Sequence, residues 1–147
     1  MIAYTVDAKE VVRMVEGIVR RGADLTPAMH IIGATVLASV QRNFEEGGRP
    51  SKWQPLSPVT LKSKKNTQIL QVKGYAGGLL GSIHYEPGRN KVEIGTNKKY
   101  GAIHHFGGQA GRGKKVTIPA RPFMLLQDDD WVEFSEALQE YYLGGKA

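Results

Sequence analysis

The stretch from Tyr100 to Phe123, YGAIHHFGGQAGRGKKVTIPARPF, places the tightest limits on how this chain can fold. An apolar, aromatic segment at 100–106 is followed by a glycine-rich basic segment at 107–115, and then by a β-branched run that ends in Pro-Ala-Arg-Pro-Phe. β-branched and aromatic residues favour strands, while prolines fix the backbone of a turn. The stretch therefore predicts a strand, a mobile loop, a second strand and a rigid turn that carries Phe123 into a core.

Several side chains of this stretch are predicted to be buried or to fix the turn. They are Tyr100, Phe106, Ile118, Pro119, Pro122 and Phe123. Truncating Phe106, Ile118 or Phe123 should cost about 3 kcal/mol or more of unfolding free energy. A strand–loop–strand unit of this kind is typical of proteins that assemble.

Two helices are predicted before this stretch, at residues 8–21 and 26–46. Asp7 and Thr26 are their expected N-caps, and Gly22 is the expected left-handed exit from the first. The apolar positions follow helical spacing. In the first helix Val11, Val15 and Ile18 form one stripe, with Val12 and Val19 beside it, and the stripe of the second helix consists of Met29, Ile32, Val36, Val40 and Phe44. These stripes are predicted to face the core, with a groove for a partner helix as the alternative.

A proline-rich arm is predicted after the second helix, because Pro50, Pro55 and Pro58 keep the preceding residues extended. Trp53 and Leu56 are its apolar anchors. Trp53 could cover the domain's own core, or it could pack on a neighbouring subunit, as aromatic anchors do in interfaces. A short helix after the arm is also predicted, with Ser57 or Thr60 as its cap.

The remaining pattern indicates strands and one last helix. A β-hairpin is predicted from 82–86 and 91–95, joined by Pro-Gly-Arg-Asn. Further strands at 102–106, 116–118 and 124–126 are predicted to extend the same sheet, and a helix at 129–143 to present Trp131, Phe134, Leu138 and Tyr141 or Tyr142 on one face. Residues 1–147 are therefore predicted to form one α+β domain: an antiparallel sheet with two N-terminal helices and a C-terminal helix packed on it, and a long proline-rich arm.

The composition argues against catalysis and metal binding. The chain has no cysteine, so disulfide scaffolds and thiolate metal sites are excluded. His104 and His105 are adjacent on a predicted strand and should point to opposite faces, and neither His30 nor His84 has the spacing to complete a site. No Gly-x-Ser-x-Gly turn is present, and the acidic residues cluster at helix ends and on exposed helix faces. No catalytic, metal or cofactor site is predicted.

The glycine-rich segment at 107–115 does not meet the requirements of a nucleotide-binding loop. Gly108, Gly113 and Lys114 have the Gly-x4-Gly-Lys spacing, but Lys115 stands where a Ser or Thr is required. A strand and prolines follow, so no helix N-terminus is available to receive a phosphate. The loop is left with three alternatives: a solvated surface, a site ordered by a protein partner, or a contact with a DNA backbone.

The net charge, the N-terminal sequence and the length of the apolar runs indicate which partners and which compartment to expect. The net charge of +6 permits contact with nucleic acid without requiring it. The first ten residues lack a basic segment followed by an apolar one, and no apolar run approaches the ~20 residues that cross a bilayer. We therefore expect a cytosolic protein with no membrane contact.

Taken in chain order, a series of short motifs resembles the phage virion morphogenesis family, the tail-completion proteins of Mu-like phages and prophages. The motifs are Phe44 before a glycine-rich step, Lys52-Trp53-Gln54-Pro55-Leu56-Ser57 with Thr60, Ile69-Leu70, Gly78-Leu79, Ser82-Ile83, Val92-Glu93-Ile94-Gly95-Thr96, Tyr100 to Gly108, and Ile118 to Phe123. The resemblance extends from about residue 7 to 143. Gly101 and Ser51 depart from the family pattern, at positions where alanine and glycine are expected.

The resemblance implies a structural protein without enzymatic activity or cofactor, acting in tail completion or head–tail joining. It also implies a ring-forming homo-oligomer, for which a hexamer is one candidate, and contact with tail or connector proteins. The protein would then be found in the host bacterial cytoplasm during assembly and in the virion. The predicted subunit or partner interface consists of Trp53, Leu56, Arg112, Lys114 and Lys115. The alternative function is a non-specific DNA-binding module that uses the basic arm and loop.

Overall fold

The computed structural model describes residues 8–64, 67–71 and 78–143, and within them the protein has an α+β fold, as predicted. The helices are α1 (Ala8–Ala23), α2 (Thr26–Glu45), α3 (Pro58–Ser63), α4 (Gly101–Phe106) and α5 (Asp128–Leu143). The strands are β1 (Ile83–Pro87), β2 (Val92–Thr96), β3 (Gly108–Ala110) and β4 (Val116–Ile118). They form two separate antiparallel pairs, β1–β2 and β3–β4. The prediction of a single larger sheet is therefore wrong, and residues 124–126 are not a strand.

The N-terminal helices lie close to their predicted positions, although their ends differ. Gly22 lies inside α1 rather than beyond it, and Leu25 rather than Thr26 occupies the N-cap position of α2. The Asp24 carboxylate accepts a hydrogen bond from the Thr26 N–H at 3.0 Å, which holds the pKa of Asp24 below its usual value. The expected cap at Asp7 falls outside the described residues. At the other end of α2, two glycines with positive φ stop the helix as predicted.

The core is built around α2. Val36, Val40 and Phe44 lie along its buried face at the predicted helical spacing. They join a cluster of buried residues from the arm, the start of the hairpin, the segment after β4 and α5: Trp53, Leu79, Leu80, Ile83, Phe123 and Phe134. Because β1, β2 and α5 pack against α2, these elements are positioned by their contacts with this one helix, whereas α1 packs on α5.

The β1–β2 hairpin packs on α2 in the predicted form. Ile83 pairs with Thr96 and Tyr85 with Ile94. Gly33 of α2 lies directly beneath the Tyr85 ring, and a Cβ added at Gly33 would be 2.3 Å from Tyr85 Cδ2. Only a glycine allows helix and strand to approach this closely.

The start of α5 is attached to α2 by a buried carboxylate. Asp130, whose side chain is fully buried, accepts hydrogen bonds from Ser39 Oγ, from Arg42 Nη2 at 2.8 Å and from the Gln127 N–H at 2.7 Å, and Arg49 Nη2 lies 3.6 Å away. Burial alone would raise the pKa of Asp130. The hydrogen bonds from Ser39 and Gln127 and the charges of the two arginines outweigh it and hold that pKa below its usual value.

The first helix is only partly covered. Arg21 Nη2 donates to Tyr142 O at 2.5 Å and connects α1 to α5, while Val12, Val15 and Val19 are exposed. The expectation that the apolar stripe of this helix faces the core is therefore wrong for Val15, and Val12 and Val19 beside the stripe are exposed as well. No single helix among the described residues is long and apolar enough to cross a membrane, and α1 and α2 reach that threshold only when counted together across a 76° bend.

Candidate interaction surface

The proline-rich arm after α2 packs on the core of its own chain through Trp53. The Trp53 ring lies edge-on to Phe44 with 5.5 Å between ring centroids, and its Nε1 donates to Pro122 O at 3.2 Å. Trp53 is 6% exposed, in agreement with the alternative in which it covers the chain's own core. It is not accessible to a partner in this fold. Leu56 is half-buried, and Ser57 caps α3 by accepting from the Thr60 N–H, as one of the two predicted caps.

Arg121 holds the arm in place. Its Nε and Nη2 both donate to Gln54 O, at 3.1 and 3.0 Å, and Nη2 also donates to Pro55 O at 3.2 Å. Its backbone N–H donates to His104 O at 2.8 Å. Burial lowers the pKa of this guanidinium. The arginine between the two prolines is therefore a structural clamp that joins the arm to the segment after β4.

The predicted strand at 102–106 is instead the helix α4. Its two histidines thus do not point to opposite faces of a sheet. His105 Nδ1 accepts from the Phe123 N–H at 3.3 Å, and its ring lies 5.0 Å from the Phe123 ring centroid. Burial lowers the pKa of His104 and of His105, for His104 with a further contribution from the Arg121 charge. Both histidines therefore favour the neutral form, which suits a packing role.

The motif predicted to be core separates into buried and exposed members. Phe123 is 2% exposed, and Pro119 and Pro122 are half-buried. Phe106 is 77% exposed and Tyr100 is 44% exposed, so the prediction that these two belong to the core is wrong. The reason is the helical turn at 101–106, which places Phe106 at the end of α4 and outside the cluster around Phe123.

A groove of about 330 Å³ lies beside the exposed Phe106 ring. Ala102, Phe106 and Met124 give it apolar surface, and Lys98 and Lys99 also line it. Both lysines are exposed, and neither forms an ion pair within the described residues. The groove thus combines an aromatic wall with positive charge.

The glycine-rich segment forms the β3–β4 hairpin. Gly108 pairs with Ile118 and Ala110 with Val116, so part of the predicted mobile loop is a strand. Arg112, Lys114 and Lys115 lie exposed in the connection between the two strands. Among the described strands this pair has no third partner, so the hairpin offers both a basic tip and free backbone edges.

Gly107 sets the direction of this hairpin. Its φ is +76°, and a Cβ there would be 2.8 Å from Ala120 N. Any other residue at this point would be strained and would push the hairpin away from the turn that holds Arg121. In the described residues no group of three His, Cys, Asp or Glu side chains is placed to hold a metal ion.

Sequence reasoning missed three parts of this surface. The sequence indicates only that acidic residues cluster at helix ends, whereas Asp130 is a buried anchor between α5 and α2. Trp131 follows the helical period of the apolar positions of α5, yet it is 61% exposed. The position of Lys98 and Lys99 at the groove could not be predicted, because a pair of lysines in a turn is common on protein surfaces. A single charged residue between prolines, Arg121, was the one available signal for the clamp.

Comparisons with known proteins give a consistent result. Residues 6–142 match the model of the phage virion morphogenesis family. The chain is 38% identical over 136 residues to Mu-like prophage FluMu G protein 2 of Haemophilus influenzae, which covers 92% of this chain and 91% of that protein. It is 26% identical to FluMu G protein 1 of the same organism, over 93% of this chain and 81% of that one. It is also 27% identical to the protein provisionally named capsid assembly protein G of Escherichia phage Mu, over 75% and 74% of the two chains. No solved structure matches this chain.

Proposed function

The chain belongs to the phage virion morphogenesis family, and on that premise we propose that it is a non-enzymatic structural protein of tail completion or head–tail joining. A role in phage virion assembly follows from the family itself. The observation that carries the proposal is the match over residues 6–142, which includes the hairpin, the arm and the clamp together. The match therefore extends over nearly the whole chain and does not rest on one motif.

The surface supports a role in assembly. Phe106 and Trp131 are large aromatic side chains that remain exposed in the single chain. Exposed aromatic residues next to charged ones are typical of sites that bind other proteins. The basic tip of the β3–β4 hairpin adds a second exposed feature on which a partner could order.

The proposal includes the setting in which the protein works. Residues 1–147 act as one domain, and copies of the chain associate with each other and with tail or connector proteins. Assembly takes place in the cytoplasm of the host bacterium, and the protein is carried into the virion.

The test is genetic and can separate the stages of assembly. The gene is deleted from an inducible Mu-like phage that carries it, and lysates are examined by electron microscopy with and without a plasmid copy. We expect closed, DNA-filled heads and separate or unfinished tails, with plaque formation restored by the plasmid. A normal particle yield would overturn the proposal. A lack of closed heads would place the protein in capsid assembly instead.

A second function, non-specific DNA binding, is favoured by one observation: Arg112, Lys114 and Lys115 are all exposed at the hairpin tip. Phosphate contacts of this kind give salt-dependent binding without sequence preference. The hairpin has no aromatic side chain between 107 and 115 on which a base could stack. We therefore rank a protein partner above DNA.

The two functions predict different behaviour for one variant. Arg112, Lys114 and Lys115 are replaced together by alanine, and the exposed residues Arg13, Arg20 and Arg89 are replaced in a control with the same change in charge. If the hairpin binds a protein, neither wild type nor variant binds a random duplex at physiological salt, and only the hairpin variant loses incorporation into tails. Salt-sensitive duplex binding by the wild type, with a slope reduced by up to about three contacts in the hairpin variant alone, would favour DNA.

A further inference from the structure

We propose that copies of this chain join head to tail, with Trp131 of one copy inserted in the Phe106 groove of the next. This inference rests on the proposed function, since it names the first partner of the assembly as a second copy of the chain. The knob is the exposed indole at the start of α5. The hole is the groove lined by Ala102, Phe106 and Met124.

The knob is exposed yet held in position. Trp131 is 61% exposed, and its ring lies edge-on to Phe134 with 5.3 Å between centroids. Phe134 itself is buried, and the first turn of α5 is fixed to α2 through Asp130. An aromatic side chain that is already ordered loses little conformational entropy on binding. Trp131 is thus better prepared for an interface than a side chain that moves freely in solvent.

The hole has the chemistry that an indole requires. Phe106 is 77% exposed and packs edge-on against His105 at 4.6 Å, so its ring is also fixed on one side. Its other side is free to take an aromatic partner, and edge-to-face pairs add stability beyond the area they bury. The volume of about 330 Å³ lies at the lower end of the range for small binding pockets, which suits one inserted side chain.

Charge makes a second copy the best occupant. Asp128 and Asp129 precede Trp131 in the first turn of α5, and Lys98 and Lys99 line the groove. All four side chains are exposed, and none forms an ion pair within the part of the chain that the structure describes. Two acids beside the knob and two lysines beside the hole favour the docked orientation over a reversed one.

The symmetry of the assembly follows from the separation of knob and hole. Trp131 does not line the groove of its own chain. In the proposed head-to-tail arrangement each copy keeps one unused knob or hole until a ring closes, whereas in a two-fold dimer two copies would exchange their knobs. The proposal is the head-to-tail arrangement, whose expected product is a closed ring larger than a dimer.

The size of the purified protein is the primary measurement. Light scattering and sedimentation are compared for the wild type, Trp131→Ala, Phe106→Ala and the control Val59→Ala, which also shortens an exposed apolar side chain. We expect the first two variants to associate at least about thirty-fold more weakly and the control to match the wild type. Circular dichroism melting curves verify that each variant is folded. A wild type that stays monomeric or stops at a dimer overturns the proposal, as does a ring that survives both changes.

Mixing the two variants tests the head-to-tail geometry directly. A Trp131→Ala copy keeps its hole and a Phe106→Ala copy keeps its knob, so together they can form one intact contact but no ring. We expect dimers in the mixture and monomers in each separate sample. Monomers in the mixture would overturn the proposal.

Exchanging the charges provides a variant that leaves the aromatic contact intact. Lys98→Glu with Lys99→Glu should weaken the ring, Asp128→Lys with Asp129→Lys should do the same, and the four changes together should restore it. Failure of the restored protein to associate, while folded, would count against the pairing. These measurements use purified protein, so they test the head-to-tail contact separately from the proposed function. The contact can be absent while deletion of the gene still blocks phage assembly, and the contact can be present while the deletion has no effect.

Discussion

The carboxylate of Asp130 is fully buried, and its protonation state should govern how α5 binds α2. Ser39, Arg42, Arg49 and the Gln127 N–H all converge on it. Removing one member of a buried charged network leaves the others without partners, and that usually costs more than the network itself contributes.

We predict that Asp130→Asn lowers the free energy of unfolding by about 3 kcal/mol at pH 7. The pKa of Asp130 is depressed in the folded state, so its contribution is present above the unfolded pKa of about 3.9 and is lost as the pH falls through the folded value. The difference between wild type and variant should therefore shrink below about pH 4. Urea unfolding between pH 7 and pH 3 measures this.

Asp129→Asn is the matched control, because Asp129 lies in the same helical turn but is exposed. It should change stability by less than about 0.5 kcal/mol. A similar loss in both variants would show that the effect belongs to the start of the helix and not to the buried network.

Phe123 and Phe106 differ in burial although they lie in one motif. We predict that Phe123→Ala costs about 3–5 kcal/mol, because its ring contacts Phe44 and His105 in the core. Phe106→Ala should cost less than about 1 kcal/mol, since its ring is mostly exposed. Chemical denaturation of the monomeric state compares the two. Equal losses would contradict the packing described here.

Sequence alone could not separate these two phenylalanines. Both belong to apolar segments, and the residues next to them do not show which ring is buried. The exposure of Phe106 depends on whether residues 101–106 form a strand or a helix. Ile103 and the aromatic residues favour a strand locally, whereas the helix is fixed by a contact distant in sequence, from the Arg121 N–H to His104 O.

At the scale of elements, the predictions succeeded where a periodic pattern was long. The second helix and the last helix each repeat their apolar positions over several turns, and the β1–β2 hairpin combines alternation with clear turn residues. Short segments carry no such signal. The strand Gly108–Ala110 was missed because its residues have low strand propensity and form only by pairing with β4. The groove could not be predicted for a related reason, because its walls come from two segments that are distant in sequence, 96–106 and 123–124.

The contact between α2 and β1 gives a sharp test of element packing. Gly33→Ala would raise helix propensity by about 1 kcal/mol in isolation. We nonetheless predict a net loss of about 1–3 kcal/mol, because the added methyl group would overlap the Tyr85 ring. Thermal unfolding followed by circular dichroism measures the change.

Gly22→Ala is the control for propensity alone. Gly22 lies in α1, and nothing in the described residues lies within 4 Å of a Cβ added there. This substitution should leave stability unchanged or raise it by up to about 1 kcal/mol. If Gly33→Ala behaved in the same way, helix and strand would not be as close as described.

For the whole molecule, the core depends on bonds between residues far apart in the chain. Asn43 donates to Phe123 O, 80 residues later, and Ser39 donates to Asp130, 91 residues later. The arm is held by Trp53 to Pro122 and by Arg121 to Gln54, across 69 and 67 residues. The core around α2 and the arm is therefore incomplete until residues 121–130 are present.

We predict that a chain ending at Pro119 does not fold. It lacks Arg121, Phe123 and Asp130, so the arm is unclamped and two arginines of the α2 region lose their buried partner. Proton NMR should show poor dispersion of the amide signals, and near-ultraviolet circular dichroism should show no fixed aromatic environment. A cooperative melt of the truncated chain would contradict this.

The same long-range clamp has a consequence for synthesis on the ribosome. Because the exit tunnel hides the most recently added residues, α2 and the arm leave the ribosome well before the segment that completes their core. Cooperative folding must then wait until residues 121–134 have emerged, and a stop codon anywhere before Arg121 would yield a product for proteolysis rather than a working half. A gene for such a protein can be silenced by a single nonsense change far beyond the codons for α2.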